Sequence, residues 1–345
     1  MSNPIIPSES EPLLEVRDLH VSFDTPAGLV YAVNGLDLRL GRGESLGILG
    51  ESGCGKSAAA RTIVGILDCP PGRIRRGSIL YRGRELTTLS SKERRDLMGR
   101  EIAWIPQDPL SALNPSFRIG YQIVEAIRTH REIGRRAAVD EVVELLRAVG
   151  LPNPEKRVHN YPHELSGGMR QRVLIAIAIA PEPSLLIADE PTTALDVTIQ
   201  AEIVVLLKQI QAERGMAVIF ITHDCALAGA FANRVAIMYG GRIIESGHAI
   251  DVFSQPAHPY TRGLLQSTPS LAIGSTLIPI PGSPPTLLDT PACCSYAPRC
   301  TFKIRRCEED LPPMFEAGPQ RFSACFRFED TLAQPGVLEQ LRADR

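Results

Sequence analysis

One glycine-rich segment has the residue types and spacing of a phosphate-binding loop. Residues 50–57 read Gly-Glu-Ser-Gly-Cys-Gly-Lys-Ser, which fits the pattern G-x-x-x-x-G-K-[ST]. In such a loop the glycines let backbone N–H groups face phosphate oxygens, the lysine charge lies beside the β- and γ-phosphates, and the final hydroxyl ligates Mg²⁺. Cys54 would contribute its backbone, not its thiol. The segment predicts a nucleotide site formed by Gly50, Glu51, Ser52, Gly53, Cys54, Gly55, Lys56 and Ser57.

Two adjacent carboxylates form a second candidate site. Asp189 and Glu190 follow the apolar run 184–188. Acids at the end of a strand suit a division of labour in which one organises Mg²⁺ and the other polarises an attacking water. The alternative is a pair of acids that end the strand and face solvent. In a chain that also has a phosphate loop, the interpretation as a hydrolytic site is favoured over a solvent-facing pair.

A third segment has the features of an anion-binding helix start. Residues 165–171 read Leu-Ser-Gly-Gly-Met-Arg-Gln and precede an apolar helical run. Ser166 suits the N-cap, and Gly167 and Gly168 leave backbone N–H groups open to an anion. The segment lies 110 residues after Lys56 (166 − 56), and nothing local brings the two together. The alternative is a glycine-rich turn without a ligand.

Short buried strands must position these segments. Residues 45–50, 101–106, 184–189 and 217–222 are apolar runs that alternate with helical patterns, as in an α/β fold with a mostly parallel core. A hairpin is predicted where residues 235–239 and 242–245 flank Gly240-Gly241. One apolar helix stripe is predicted from Val139, Val142, Val143, Leu146 and Val149.

The proline content of the chain rises near residue 251. Residues 251–345 contain 13 of the 28 prolines, so helices and strands there must be short. We expect a first domain over residues 13–250, with a helical subdomain at about 109–165, and a small irregular domain over residues 251–345.

Composition excludes several classes of protein. At 345 residues, with 44% hydrophobic and 22% charged residues, the chain is expected to be globular with about two domains. A net charge of −2 argues against nucleic acid as a partner. The longest apolar run, residues 173–180, is too short to cross a bilayer, and the N-terminus has no secretory pattern, so the cytosol is expected.

Together with three further motifs, these segments resemble the ATP-binding-cassette (ABC) ATPases. In family order, residues 50–57 match Walker A, Gln107 the Q-loop, 165–169 the signature, Asp189-Glu190 the end of Walker B, 194–196 the D-loop and His223 the H-loop. The resemblance covers about residues 13–250. It implies a P-loop NTPase cassette with a mixed or parallel sheet core, an antiparallel β subdomain and an α-helical subdomain.

The resemblance also implies roles for single residues. Two cassettes would pair head to tail, so that Ser166, Gly167 and Gly168 of one close on the ATP of the other. The catalytic group would be Glu190 as general base, Gln107 sensing Mg²⁺ and water, and His223 on the γ-phosphate; Asp196 would communicate between sites. Mg²⁺ would be held by Ser57, Gln107 and Asp189. Phe23, or alternatively Tyr31, would stack on adenine.

A narrower resemblance is to the ATPases of oligopeptide/dipeptide importers. It rests on residues 104–109, 111–115, 258–261 and 280–285. It implies an ATP-hydrolysing subunit on the cytoplasmic face of the inner membrane, working with two permease subunits, a second ABC ATPase, identical or not, and an extracytoplasmic solute-binding protein. Import of nickel or another small solute is the first alternative, and a soluble ABC ATPase outside transport is the second.

The cysteine-rich tail adds a metal prediction. Four cysteines have the spacing C-x₅-C-x₆-C-x₁₇-C, which is not the tight C-x₂-C of common zinc ribbons. The pattern resembles the one that holds a 4Fe–4S cluster in the importer subfamily. Zinc and free thiols are the alternatives, and Cys293 competes with Cys294 as first ligand. The expected cluster ligands are Cys294, Cys300, Cys307 and Cys325.

Overall fold

Strands form where the sequence has short apolar, β-branched runs. The computed structural model describes residues 11–269 and 277–337. All four predicted buried strands are present within one or two residues of the expected bounds. The strands are β1 (Leu14–Thr25), β2 (Gly28–Leu40), β3 (Ser45–Leu49), β4 (Gly72–Tyr81), β5 (Arg84–Glu85), β6 (Ile102–Ile105), β7 (Leu185–Asp189), β8 (Ala217–Thr222), β9 (Arg234–Tyr239), β10 (Arg242–His248), β11 (Phe315–Gly318) and β12 (Arg321–Ser323).

Helices occupy the stretches between these strands and become short after residue 248. The helices are α1 (Lys56–Val64), α2 (Ser91–Leu97), α3 (Pro109–Ala112), α4 (Ile119–His130), α5 (Arg135–Ala148), α6 (Pro154–Arg157), α7 (Gly167–Ile179), α8 (Val197–Arg214), α9 (Cys225–Phe231), α10 (Ala249–Ser254), α11 (Pro259–Gln266), α12 (Arg306–Glu309) and α13 (Phe328–Leu332). Single 3₁₀ turns cover Pro162–Glu164 and Ala297–Arg299. None of the helices in the described ranges is long and apolar enough to cross a membrane.

The chain divides into two compact units. The first combines Met1–Thr88 with Phe220–Arg345, and the second is Leu89–Ile219. The C-terminal region therefore belongs to the same unit as the phosphate loop. The expected domain boundary at residue 250 rests on composition and stays a prediction.

The first unit contains two arrangements of strands. One is an antiparallel sheet of order β2-β1-β4-β5. In the other, β3 pairs in parallel with β9. Three antiparallel pairs then extend this sheet in the order β9-β10-β12-β11. The predicted hairpin is confirmed, since β9 and β10 are joined by Gly240-Gly241. Strands from the far end of the sequence thus extend the sheet that carries the phosphate loop.

The second unit packs helices beside the parallel pair β6 and β7. Helices α4, α5 and α7 contact one another, and α7 contacts β6. The predicted stripe on α5 is partly wrong, because Val139 is 45% exposed and the buried face includes Ala138 and Leu145 in addition to Val142 and Leu146. Ala138 and Leu145 lie seven residues apart, two helical turns, on the side that faces the neighbouring helices.

A buried charged network ties α11 to β10 and β12. The Glu245 carboxylate accepts hydrogen bonds from the Ala257 and His258 backbone N–H groups at 2.8 and 3.0 Å, and from Arg321 at 2.9 Å. Burial nevertheless raises the pKa of Glu245. His258 caps α11, since its Nδ1 accepts from the Tyr260 N–H at 3.0 Å. This cap requires that Nδ1 carries no proton, because Nδ1 accepts the hydrogen bond.

Replacing His258 by asparagine should flatten the pH dependence of stability. Burial lowers the pKa of His258 from 6.5 to about 3. Between these values the unfolded chain binds a proton that the folded chain excludes, so stability falls as pH drops from 6.5 towards 3, by about 1.4 kcal/mol per pH unit from this group. His258→Asn keeps an N-cap acceptor without titrating. Urea unfolding at pH 7, 6 and 5 measures the slope; an unchanged slope would contradict the assignment.

Candidate nucleotide-binding and hydrolysis site

The phosphate loop joins β3 to α1 through two glycines that no other residue could replace. Gly50 has φ of 155°, and a Cβ there would lie 2.2 Å from the Met238 carbonyl oxygen. Gly55 is the N-cap of α1 with φ of 104°, and a Cβ there would lie 2.1 Å from the Ala32 carbonyl oxygen. The loop therefore packs closely against β9 at Gly50 and against β2 at Gly55. Glycine is needed at both positions because it has no Cβ and accepts a positive φ.

Lys56 lies inside this loop. Its Nζ donates to the carbonyl oxygens of Gly50 at 2.7 Å and Glu51 at 3.0 Å, and the residue is 4% exposed. Helix α1 begins at Lys56 and has no acidic residue in its first turn, so nothing there offsets the positive end of the helix dipole. Ser57 is the second residue of the helix. This arrangement concentrates positive potential where the sequence predicts phosphate.

The second residue of the loop, Glu51, is fixed from the C-terminal region. Its N–H donates to the Tyr260 hydroxyl at 2.8 Å. Its carboxylate accepts from two nitrogens of Arg299, at 2.6 and 2.9 Å. This ion pair raises the pKa of Arg299 above its ordinary value. Sequence reasoning missed Tyr260 and Arg299 as loop contacts, because no local pattern links residues so far apart.

In the second unit, Gln107 and Glu190 meet. The Gln107 Nε2 donates to Glu190 Oε2 at 3.1 Å, and Thr193 Oγ1 donates to the same oxygen at 3.0 Å. Glu190 has a left-handed backbone, with φ of 47°, directly after the buried Asp189 at the end of β7. Two donors on one oxygen orient the carboxylate as a base would need. Thr193 was missed, although it stands three residues after Glu190.

The signature segment and the D-loop are neighbours in the same unit. Ser166 caps α7, as predicted, by accepting from the Met169 N–H at 3.4 Å, and Asp196 caps α8 by accepting from the Ile199 N–H at 3.0 Å. A Cβ on Gly168 would lie 2.8 Å from Ile199 Cγ2, so a larger residue would press on the start of α8. The two helix starts are thus packed together.

Three other predicted residues lie in the first unit. Phe23 is a half-buried residue of β1 that lies opposite Val30 and Gly72. Its rival Tyr31 donates its N–H to the Leu287 carbonyl at 2.6 Å. His223 is exposed after β8 and precedes Asp224, which caps α9. The choice between Phe23 and Tyr31, and the roles of all the predicted site residues, stay predictions.

The tail cysteines converge without forming a metal-ion site. The Cys294 N–H donates to the Cys307 carbonyl at 3.1 Å. Burial raises the pKa of Cys325 to about 12, and the charges of Cys300, Cys294 and Cys307 act in the same direction. Yet no group of three or more His, Cys, Asp or Glu residues in the described part of the chain is arranged to hold a metal ion. The predicted iron–sulfur and zinc sites therefore gain no support from this geometry.

Comparison with known proteins bears on both parts of the sequence. Residues 33–193 match the family described as ABC transporter, and residues 244–307 match the oligopeptide/dipeptide transporter, C-terminal region. The oligopeptide transport ATP-binding protein OppD of Bacillus subtilis is 48% identical over 90% of this chain and 87% of its own length. The dipeptide transport ATP-binding protein DppD of the same organism is 47% identical over 95% and 98%. OppD of Escherichia coli is 47% identical over 94% and 96%.

Solved structures agree in fold. The dimeric ATP-binding cassette MJ0796, in a post-hydrolysis state bound to ADP and Pi, superposes with a TM-score of 0.62 at 25% identity, covering 68% of this chain and 98% of that one. CbiO1 from Clostridium perfringens, part of the cbiONQ ABC transporter complex, gives 0.59 at 29% identity, covering 71% and 91%. Both the predicted cassette fold and the predicted family are confirmed, and this chain belongs to the ATP-binding subunits of the ABC transporter family.

Proposed function

We propose that this chain hydrolyses ATP to power the import of dipeptides or oligopeptides. The observation that carries the proposal is the oriented Glu190 carboxylate, in a chain that also has an intact phosphate loop. The peptide assignment is supported by the names of the relatives and by the match of residues 244–307. Nickel or another small solute is the alternative cargo, because a cassette does not itself contact what is transported.

In the proposed reaction, Glu190 accepts the proton of the attacking water while Gln107 holds that water and the carboxylate in register. Lys56 and the N–H groups at the start of α1 neutralise phosphate charge. The oxygen donors of Ser57, Gln107 and Asp189 are the ligand types that Mg²⁺ prefers, and the ion when bound would offset charge on the β- and γ-phosphates. His223 would contact the γ-phosphate.

A second cassette would complete the site. The start of α7, with Ser166, Gly167 and Gly168, presents backbone N–H groups that suit an anion, and it lies 110 residues after Lys56 in sequence. We propose that it closes on ATP held by the partner cassette, with Asp196 beside it. Two permease subunits, and through them a solute-binding protein, would be the further partners, at the cytoplasmic face of the membrane.

The test of the proposed function uses the assembly from its native membrane. Membrane proteins should accompany the chain during purification, and reconstituted vesicles should import labelled peptides only with ATP inside the compartment that contains this chain. Import of nickel but not peptide would favour the alternative cargo. Purification with nucleic acid or ribosomes and without membrane proteins would reject a transport function.

We propose also that Cys294, Cys300, Cys307 and Cys325 hold a 4Fe–4S cluster. The Cys294 N–H donates to the Cys307 carbonyl at 3.1 Å, and burial, followed by the charges of Cys294 and Cys307, raises the pKa values of Cys300 and Cys325. These contacts bring the four cysteines close to one another, and thiolates are the ligands such clusters use. Protein purified without oxygen should contain iron and absorb visible light, Cys300→Ser should lose both, and the exposed Cys69→Ser should lose neither. Protein without iron would refute the cluster, and bound zinc would replace it.

A further inference from the structure

A single residue of the phosphate loop, Glu51, is held at all of its polar groups. Its N–H donates to the Tyr260 hydroxyl at 2.8 Å, its carbonyl accepts from Lys56 Nζ at 3.0 Å, and its carboxylate accepts two bonds from Arg299. Only the Lys56 contact is local to the loop. The other two come from the region that follows the cassette motifs in sequence.

Both distant partners of Glu51 are buried and make further contacts. The Arg299 side chain is 5% exposed and also donates to the Pro281 carbonyl at 2.7 Å and the Tyr239 hydroxyl at 3.2 Å. Tyr260 is fully buried, with its ring centroid 4.5 Å from that of Tyr239 and 5.4 Å from that of Tyr296. Because these side chains are packed and bonded elsewhere, they fix Glu51 rather than follow it.

The position of Glu51 matters because the loop must leave room for phosphate oxygens. Lys56 is bound by the carbonyl oxygens of Gly50 and Glu51, so a shift of Glu51 moves the groups that aim the lysine. A bidentate arginine–carboxylate pair constrains direction as well as distance, and a lysine in place of the arginine would not. Loss of the pair would let the loop relax around Lys56.

We infer that Arg299 and Tyr260 are positioning residues for ATP, and that the C-terminal region thereby keeps the phosphate loop of the same chain in its phosphate-receptive shape. The inference rests on the proposed function, since it presumes that the loop binds ATP. The C-terminal region would thereby have a role separate from cargo, permease contact and metal binding.

The first measurement is ATP affinity and steady-state turnover of the full-length protein with Mg²⁺. Arg299→Gln should weaken ATP binding about tenfold, a change of about 1.4 kcal/mol. The KM for ATP should rise in the same proportion while kcat changes little, because Arg299 contacts no reacting atom. Arg299→Lys should keep the charge but recover only part of the affinity.

The matched control is Arg305→Gln. Arg305 lies in the same segment and also pairs with a glutamate, Glu309 at 2.6 Å, but its side chain is 90% exposed. Exposed pairs contribute little, so its ATP affinity and KM should match the native protein. Equal ATP affinity in Arg299→Gln and Arg305→Gln would overturn the inference.

Two further variants separate positioning from folding. Tyr260→Phe keeps the buried ring but removes the hydroxyl that accepts from Glu51, so it should raise the KM while keeping the thermal unfolding midpoint close to that of the native protein. Glu51→Gln combined with Arg299→Gln should weaken binding no more than Arg299→Gln alone, because one interaction is lost in both. A lower thermal unfolding midpoint with unchanged ATP affinity in Tyr260→Phe, or weaker ATP binding by the double variant than by Arg299→Gln, would overturn the inference. Failure of the native protein to bind ATP would instead reject the proposed function.

Discussion

Replacing Glu190 by glutamine should reduce ATP turnover by about two to four orders of magnitude, the usual contribution of a general base. Glutamine is nearly the same size and still accepts from Gln107 and Thr193 through its carbonyl oxygen, whose partners on Glu190 are 3.1 and 3.0 Å away. It cannot take a proton from water. ATP binding should therefore survive, and phosphate release measured under saturating ATP should nearly vanish.

The same variant reports on the pairing of cassettes. If hydrolysis normally opens the closed pair, Glu190→Gln with ATP should accumulate as a dimer detected by light scattering, whereas the native protein should return to its initial state. Glu144→Gln is a suitable control, because Glu144 pairs with Arg147 on the exposed face of α5. Undiminished turnover in Glu190→Gln would reject Glu190 as the base.

Replacing Lys56 by alanine should reduce turnover by about 10²- to 10³-fold, the loss typical when one preorganised hydrogen-bond donor is removed from a catalytic site. Its ammonium group is the cation held within the loop, by the carbonyl oxygens of Gly50 and Glu51. Without it, phosphate charge would meet two carbonyl dipoles of the wrong sign. Binding of a fluorescent ATP analogue should weaken together with turnover.

Lys92→Ala provides the comparison, since Lys92 is an exposed residue of α2. It should bind and hydrolyse ATP as the native protein does. If Lys56→Ala retained native affinity and turnover, the loop would not be the phosphate site, and the function proposed for this chain would fail with it.

Local pattern was enough to predict the phosphate loop, because its glycines and lysine act within eight consecutive residues and between a strand and a helix. The same holds for the Ser166 cap and the hairpin at Gly240-Gly241. In each case the interaction that shapes the backbone joins residues only a few positions apart, so the sequence displays it directly.

Long-range pairing was predicted less well. Gln107 and Glu190 are 83 residues apart, and only the family resemblance suggested that they act together. The contacts of Glu51 with Tyr260 and Arg299 span 209 and 248 residues and were not predicted at all. The local sequence around a buried arginine does not differ from that around an exposed one, so the sequence could not show that Arg299 is buried and Arg305 is exposed. On α5, the valine spacing matched a helix face but did not reveal which side the neighbouring helices cover.

The distance in sequence between Glu51 and Arg299 has a consequence for how the protein is made. At about 5–20 residues per second, a ribosome needs roughly 12 to 50 s to translate the stretch between them. During that time the nascent chain already contains residues 50–57, whereas Arg299, which donates to the Glu51 carboxylate, has not yet been synthesised. A message cut short after residue 290 would yield a product that contains all six cassette motifs but lacks Arg299, so that truncated chain should bind ATP less tightly than the full-length protein.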